Sequence, residues 1–228
     1  MNYIDRYVHR LGAKGESLKE TILNKSKRIA NEKFSTSPSH YVVSVDDYKT
    51  DAIIFLNKDS NELDIHFRPD ATVNVGSIVN YRNNNYLLID FYENEIHPKG
   101  KLRLCNSTFP IESDKTHDLL KDEDGNIVVD DYGEPIVIES GGDVIYEPCI
   151  VEKKYYFNNR NEQITLPEDR VMVTLKYQEA DSIAVNKEFN IYDTRFAIKD
   201  IDYTKVINGV GIMTITGERV MDKKNEHV

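Results

Sequence analysis

Seventeen residues of this chain can be laid without a gap on seventeen others 110 positions later, and this repeat constrains the fold more than any other feature. The paired stretches are residues 75–91 and 185–201. Val79 falls on Phe189, Tyr81 on Ile191, Tyr86 on Phe196, Leu88 on Ile198 and Phe91 on Ile201, apolar on apolar each time. Asn80 and Asn190 are identical, as are Asp90 and Asp200. One inserted residue then carries the match from 100–104 to 211–215 and brings Gly100 onto Gly211. In each copy, apolar residues occupy alternate positions on either side of a short polar turn, which is the pattern of a half-buried hairpin. Any two hairpins share alternation, but the ungapped length argues against coincidence. The repeat therefore predicts two tandem copies of one small β-barrel or sandwich. A spacing of about 110 residues suits a domain and is too long for a solenoid repeat.

Around the repeat, the chain reads as mainly β behind a short helical segment. Tyr3, Ile4, Tyr7, Val8 and Leu11 recur at helical spacing, and Gly12 and Gly15 then interrupt the pattern. Ser17 followed by Glu20 forms a capping box, which predicts a helix from Leu18 to about Asn31, with Leu18, Ile22 and Ile29 as its apolar positions. A Ser/Thr/Pro linker at 35–39 ends it. From Tyr41 the period becomes two, and strands are predicted at 41–45, 52–56, 63–67, 77–82, 86–92, 101–106, 144–150, 155–157 and 171–177. The 14 Tyr, with the many Val and Ile, fit half-buried strands. The expected organisation is a helical segment at 1–40, a first β domain at 41–150 and a second at 151–228. An acidic insert at 112–147 interrupts the first β domain. Within that insert, Asp124–Val129 and Asp131–Val137 are two copies of a turn-plus-strand unit, so a protruding hairpin or loop is expected there.

Charge is distributed unevenly. Residues 112–147 hold twelve acids and two bases, which accounts for the whole formal net charge of −10. The first forty residues hold eight bases and four acids. A basic helical end suits nucleic acid or an acidic protein partner. The plainer reading is a solvated helix face, and for the insert a solubilising surface loop. There is no apolar signal core at the N-terminus and no run long enough for a transmembrane helix, so no membrane partner and no export by the usual signal are expected. Cys105 and Cys149 read as two apolar thiols in a reducing compartment.

Catalytic patterns are missing. The chain has no phosphate-binding glycine loop, nucleophile elbow or HExxH. The six His (His9, His40, His66, His97, His117 and His227) form no close ligand pair, and His66 alternates with Ile65 and Phe67 as a strand residue would. The 122–126 segment lacks the spaced acids and distal Glu of a calcium loop. Asp46/Asp47 and Asp130/Asp131 are sequence neighbours that point apart on a strand, so neither is an acid/base pair. The expectation is a non-enzymatic protein with no cofactor and no metal.

The hairpin form seen at Ser77–Asp90 and Lys187–Asp200, an apolar strand, an Asn/Asp turn and a strand ending in Asp, resembles the recurrent hairpin of small β-barrel neck proteins of tailed phages. These are the head-completion or stopper proteins and their relatives in head–tail joining. The whole chain is also similar to structural-block proteins of phages of Gram-positive bacteria, on the short helical start and the segments 104–106 and 146–152. The resemblance implies a virion protein, assembled in the host cytoplasm into a homo-oligomeric ring. That ring lies between the portal or its adaptor and the tail and closes or continues the DNA channel. Arg6, Arg10, Lys19, Lys27 and Arg28 would then dock a neighbouring ring. Asp122, Glu123, Asp124, Asp130, Asp131 and Glu134 would face the channel or a tail protein, making only non-specific contact with packaged DNA. Two copies and a long acidic insert depart from the stopper pattern, and bear on ring size and neck position. The alternatives are a tail-terminator ring, a capsid decoration protein, or a non-catalytic carbohydrate- or protein-binding module presenting Tyr155, Tyr156 and Phe157.

Overall fold

Strand order is the same in both halves of the chain. A computed structural model describes residues 4, 17–57, 62–112, 116–120, 127–130, 132–140, 142, 144–157, 162–165 and 169–220. The helix α1 spans Leu18–Phe34. The first six strands are β1 (His40–Val45), β2 (Tyr48–Leu56), β3 (Glu62–Phe67), β4 (Ile78–Tyr81), β5 (Asn84–Tyr92) and β6 (Lys99–Leu104). They form a closed barrel in the order β1-β2-β3-β6-β5-β4. Closure comes from β1 against β4, where Ser44 pairs with Asn80 and Val45 with Val79.

The later strands are β7 (Ser107–Glu112), β8 (Thr116–Leu119), β9 (Val137–Ser140), β10 (Val144–Glu152), β11 (Lys154–Phe157) and β12 (Glu162–Thr165). They continue with β13 (Arg170–Lys176), β14 (Glu188–Ile191), β15 (Thr194–Ile207) and β16 (Val210–Arg219). Six of them make a second sheet in the order β14-β15-β16-β13-β10-β7. Taking β7, β10, β13, β14, β15 and β16 as the six in turn reproduces the path of the first barrel. The pairs β8–β9 and β11–β12 are additions to the first and second hairpins of that path. Here β7 and β14 are the sheet edges, and they approach through Phe109 and Phe189, whose rings are 5.0 Å apart. Pro110 lies in β7, an edge strand, where the missing N–H is tolerated.

The 110-residue repeat is thus a structural repeat. β4 and β14 start at 78 and 188, and β5 and β15 at 84 and 194. Val79 pairs with Tyr86 as Phe189 pairs with Phe196, and Tyr81 with Asn84 as Ile191 with Thr194. Both turns use two residues at positive φ, Arg82 (51°) and Asn83 (62°) in one, Tyr192 (50°) and Asp193 (58°) in the other. Such turns match the twist of the strands they join. Even the entry repeats: Gly76 N–H donates to the Leu88 carbonyl at 2.8 Å, and Asn186 N–H to the Ile198 carbonyl at 2.8 Å.

Each barrel has its own core. Ala52, Ile65, Phe67, Val79, Leu88 and Leu102 fill the first. Phe109, Val173, Leu175, Ile198, Met213 and Ile215 fill the second. Full burial of one such side chain stabilises by roughly 1.5–3 kcal/mol. β13 shows why the segment is a strand: Val171, Val173 and Leu175 are buried and the residues between them are not.

The expected domain boundary is corrected. The compact units divide at Asn106/Ser107, not at 150/151. The first unit comprises residues 1–106 with 205–212, and the second 107–204 with 213–228. The acidic insert consequently belongs to the second unit, because β7 and β10 on either side of it are hydrogen-bonded neighbours in the second sheet. The helix packs on its barrel through its last turns. Phe34 is buried and Ala30 half-buried, whereas Leu18, Ile22 and Ile29 are exposed. The capping prediction held: the Ser17 hydroxyl accepts from Glu20 N–H at 3.2 Å.

Candidate functional site

Among the described residues, the site residues expected from the sequence fall on two elements: Lys19, Lys27 and Arg28 on α1, Asp130 and Glu134 on the extension of the β7–β10 hairpin. Arg6 and Arg10 lie outside the described residues. Lys19 is exposed in the first turn of α1. Arg28 pairs with Glu32 one turn on, at 3.6 Å. Lys27 is engaged within its own unit. Its ammonium lies 2.6 Å from Asp70 and 3.6 Å from Glu95, and the Asp70 hydrogen bond raises its pKa above the ordinary value. Lys27 therefore helps hold α1 to barrel loops.

Arg68 does the larger share of that work. From the end of β3 its guanidinium donates to Asp51 at 2.7 Å, to the Ser35 hydroxyl at 2.9 Å and to the Asn31 carbonyl at 3.4 Å. It also stacks over the Phe34 ring at 4.9 Å, a cation–π contact. His40 completes the cluster, with Nε2 3.3 Å from the second Asp51 oxygen and its ring edge-on to Phe34. The Arg68 hydrogen bond holds the Asp51 carboxyl below its ordinary value, against partial desolvation. No sequence pattern marks this cluster, since its hydrogen-bonded partners stand 17, 33 and 37 residues from Arg68.

Between α1 and the first barrel runs a cleft of about 570 Å³, lined by Ile29, Ala30, Phe34, Ile53, His66 and His97 among others. Burial pushes the His66 imidazole below its ordinary 6.5, and Lys99 adds to the shift while Asp64 opposes it. A depressed folded pKa means that the unfolded chain takes up the proton first. His66 thus supports stability above about pH 6.5 and withdraws that support as pH falls through its folded pKa. An NMR titration should place the His66 midpoint below 6.5 and move it upward in Lys99→Ala. A midpoint at or above 6.5 would show that the imidazole is not desolvated in this cleft.

The insert is a built extension of the second barrel. β7 and β10 pair out to Glu112 and Val144, and β8 with β9 follows, Thr116 against Ser140 and Leu119 against Val137. Three segments then meet in a cycle of backbone bonds. Leu120 N–H donates to the Ile136 carbonyl (2.9 Å), Ile136 N–H to Val128 (2.9 Å) and Val128 N–H to Leu120 (2.8 Å). The two turn-plus-strand copies thus face each other, joined also by the Val129–Pro135 bridge. Asp130 organises the turn between them, its Oδ1 accepting from Tyr132 N–H and Glu134 N–H, both at 2.9 Å. Glu134 is exposed. Asp122, Glu123, Asp124 and Asp131 lie outside the described residues.

Among the described residues, no three or more His, Cys, Asp or Glu side chains cluster to hold a metal, and no helix is long and apolar enough to cross a membrane. Cys105 and Cys149 are not joined in a disulfide, and Cys149 is buried.

The class defined by this geometry is a tandem pair of six-stranded barrel-like sheets of one topology, the second carrying an acidic arm. Residues 107–218 match the family described as the YomX C-terminal domain, and the match begins where the second unit begins. The chain is similar to the SPbeta prophage-derived uncharacterized protein YomX of Bacillus subtilis (strain 168), 22% identical over 156 residues, covering 68% of this chain and 69% of that protein. No solved structure matches the chain.

Proposed function

We propose that this protein is a non-catalytic structural component of a phage particle. It forms a ring in the neck, between the portal or its adaptor and the tail. The duplicated barrel carries this reading: one six-strand path is built twice, and only the second copy extends into an arm. A duplicated scaffold with an added contact element is suited to joining neighbours in an assembly. The similarity to a prophage-derived protein supports the phage setting. In this reading the exposed basic residues of α1 and the acidic arm are contact surfaces, and DNA passing the ring meets net negative charge and does not adhere.

Cryo-electron microscopy of intact particles, with quantitative mass spectrometry, tests this. The expected result is density for both barrels around the channel axis, at a copy number fitting one ring. A copy number matching the capsid surface would replace the neck by a decoration role. Absence from particles would remove the virion reading altogether.

A further inference from the structure

We propose that copies of this chain associate head to tail, the arm of one copy lying along α1 of the next. This inference rests on the ring reading above and names the surfaces that build the ring.

The arm carries the first observation. Val144, Ile145 and Tyr146 are consecutive strand residues, so they point alternately to two faces, yet they are 42%, 56% and 65% exposed. β10 therefore exposes apolar side chains to both sides here, although Ile111, the partner of Ile145 on β7, is buried. Further out, Val129 is 51% and Tyr132 92% exposed. A two-stranded ribbon has little stability alone in water, and clustered apolar exposure of this kind marks a contact surface.

The second observation is the outer face of α1. Leu18 and Ile22 stand four residues apart, share one side of the helix and are 69% and 58% exposed, whereas Ile29 borders the cleft toward the barrel. The helix is held to its barrel by Phe34, Arg68 and Lys27, which leaves this stripe outward. Lys19 and Lys25 are exposed beside it.

Charge selects the occupant. The insert carries twelve acids against two bases, and α1 carries five bases against two acids. Each surface is apolar along its length and bordered by charge opposite to the other's. One chain presents both, so a second copy supplies the complement of each. The two surfaces differ, so the interface is heterologous, the type that closes into a ring when the rotation permits. A nucleic acid would be repelled by the arm and would leave the apolar stripe of α1 wet.

Sedimentation velocity of the full chain tests this with two variants altered only at exposed positions. One is Lys19→Glu/Lys25→Glu, the other Ile145→Ser/Tyr146→Ser, each checked for unchanged circular dichroism. The wild type should form an oligomer larger than a dimer, and each variant alone should lose it and sediment as a monomer. An equimolar mixture should give a one-to-one dimer and stop there, because one intact arm meets one intact helix. A variant that keeps the wild-type size, a mixture that stays monomeric, or a wild type that is monomeric or stops at a dimer would each overturn the head-to-tail interface. That failure leaves particle content to decide the virion reading. Conversely, a mixed dimer from a protein missing from particles would keep the interface and remove the neck.

Discussion

Replacing Gly76 by alanine is expected to destabilise the first unit by roughly 3–5 kcal/mol, enough to unfold a domain of ordinary stability. Two costs add. Gly76 has φ +94°, a left-handed conformation that a Cβ resists. A Cβ there would also fall onto the carbonyl oxygen of Gly211, which is backbone and cannot swing aside. Gly211 is itself at φ +147° and faces the Lys205 carbonyl just as closely, so the strain cannot pass to it. Asn186, at the matching place in the second copy, has φ 70°, which shows that the repeat needs the conformation there but not the glycine. Gly76→Asn should relieve the conformational cost alone and recover part of the loss. Urea denaturation followed by circular dichroism measures both variants. A loss below about 1 kcal/mol for Gly76→Ala would mean that the two backbones are not in contact.

Arg68→Ala is the second large effect, about 2–3 kcal/mol. The change strands Asp51, removes the bonds to Ser35 and Asn31 and uncovers the Phe34 ring. The figure sits below a fully buried pair because the two side chains are 34% and 30% exposed. The loss should be local. Hydrogen exchange of residues 18–34 should accelerate while the barrel strands keep most of their protection. Arg68→Lys should restore little, since an ammonium lacks the planar fork that reaches three partners. Acid should imitate the mutation. The folded pKa of Asp51 lies below its ordinary 3.8, so its contribution is complete above that value and is lost as pH falls through the folded pKa. Protection of α1 should therefore drop below about pH 4. Unchanged protection in Arg68→Ala would assign the anchoring of α1 elsewhere.

Much of the architecture was legible because hairpins are local. The alternation at Val79, Tyr81, Tyr86 and Leu88, repeated at Phe189, Ile191, Phe196 and Ile198, revealed both the strand pairs and their duplication. The unit boundary was not legible. Nothing local marks Ser107 as the first residue of a new sheet, because its partner Cys149 lies beyond an insert. Which side of α1 meets the barrel was not legible, because Phe34 with Arg68, brought together only by the fold, fixes the helix and leaves Leu18 and Ile22 outward. Lys27 read as a docking cation by composition, and only the fold brings Asp70 and Glu95 to it. Opposite charge on helix and insert was plain from the chain, whereas the exposure of Val144, Ile145 and Tyr146 required the coordinates.

The assignment of residues 205–212 to the first unit sets the order in which a nascent chain can finish folding. All six strands of the first barrel leave the ribosome by residue 104. The turn whose Gly211 backbone meets Gly76 emerges only after most of the second unit has been made. The unit synthesised first is thus completed only when residue 212 has been made, shortly before the second unit receives its own last strand residues, and for most of synthesis its Gly76 surface has no counterpart. A fragment ending at Asn106 would remain in that unfinished state permanently, with all its strands but without the turn that meets Gly76.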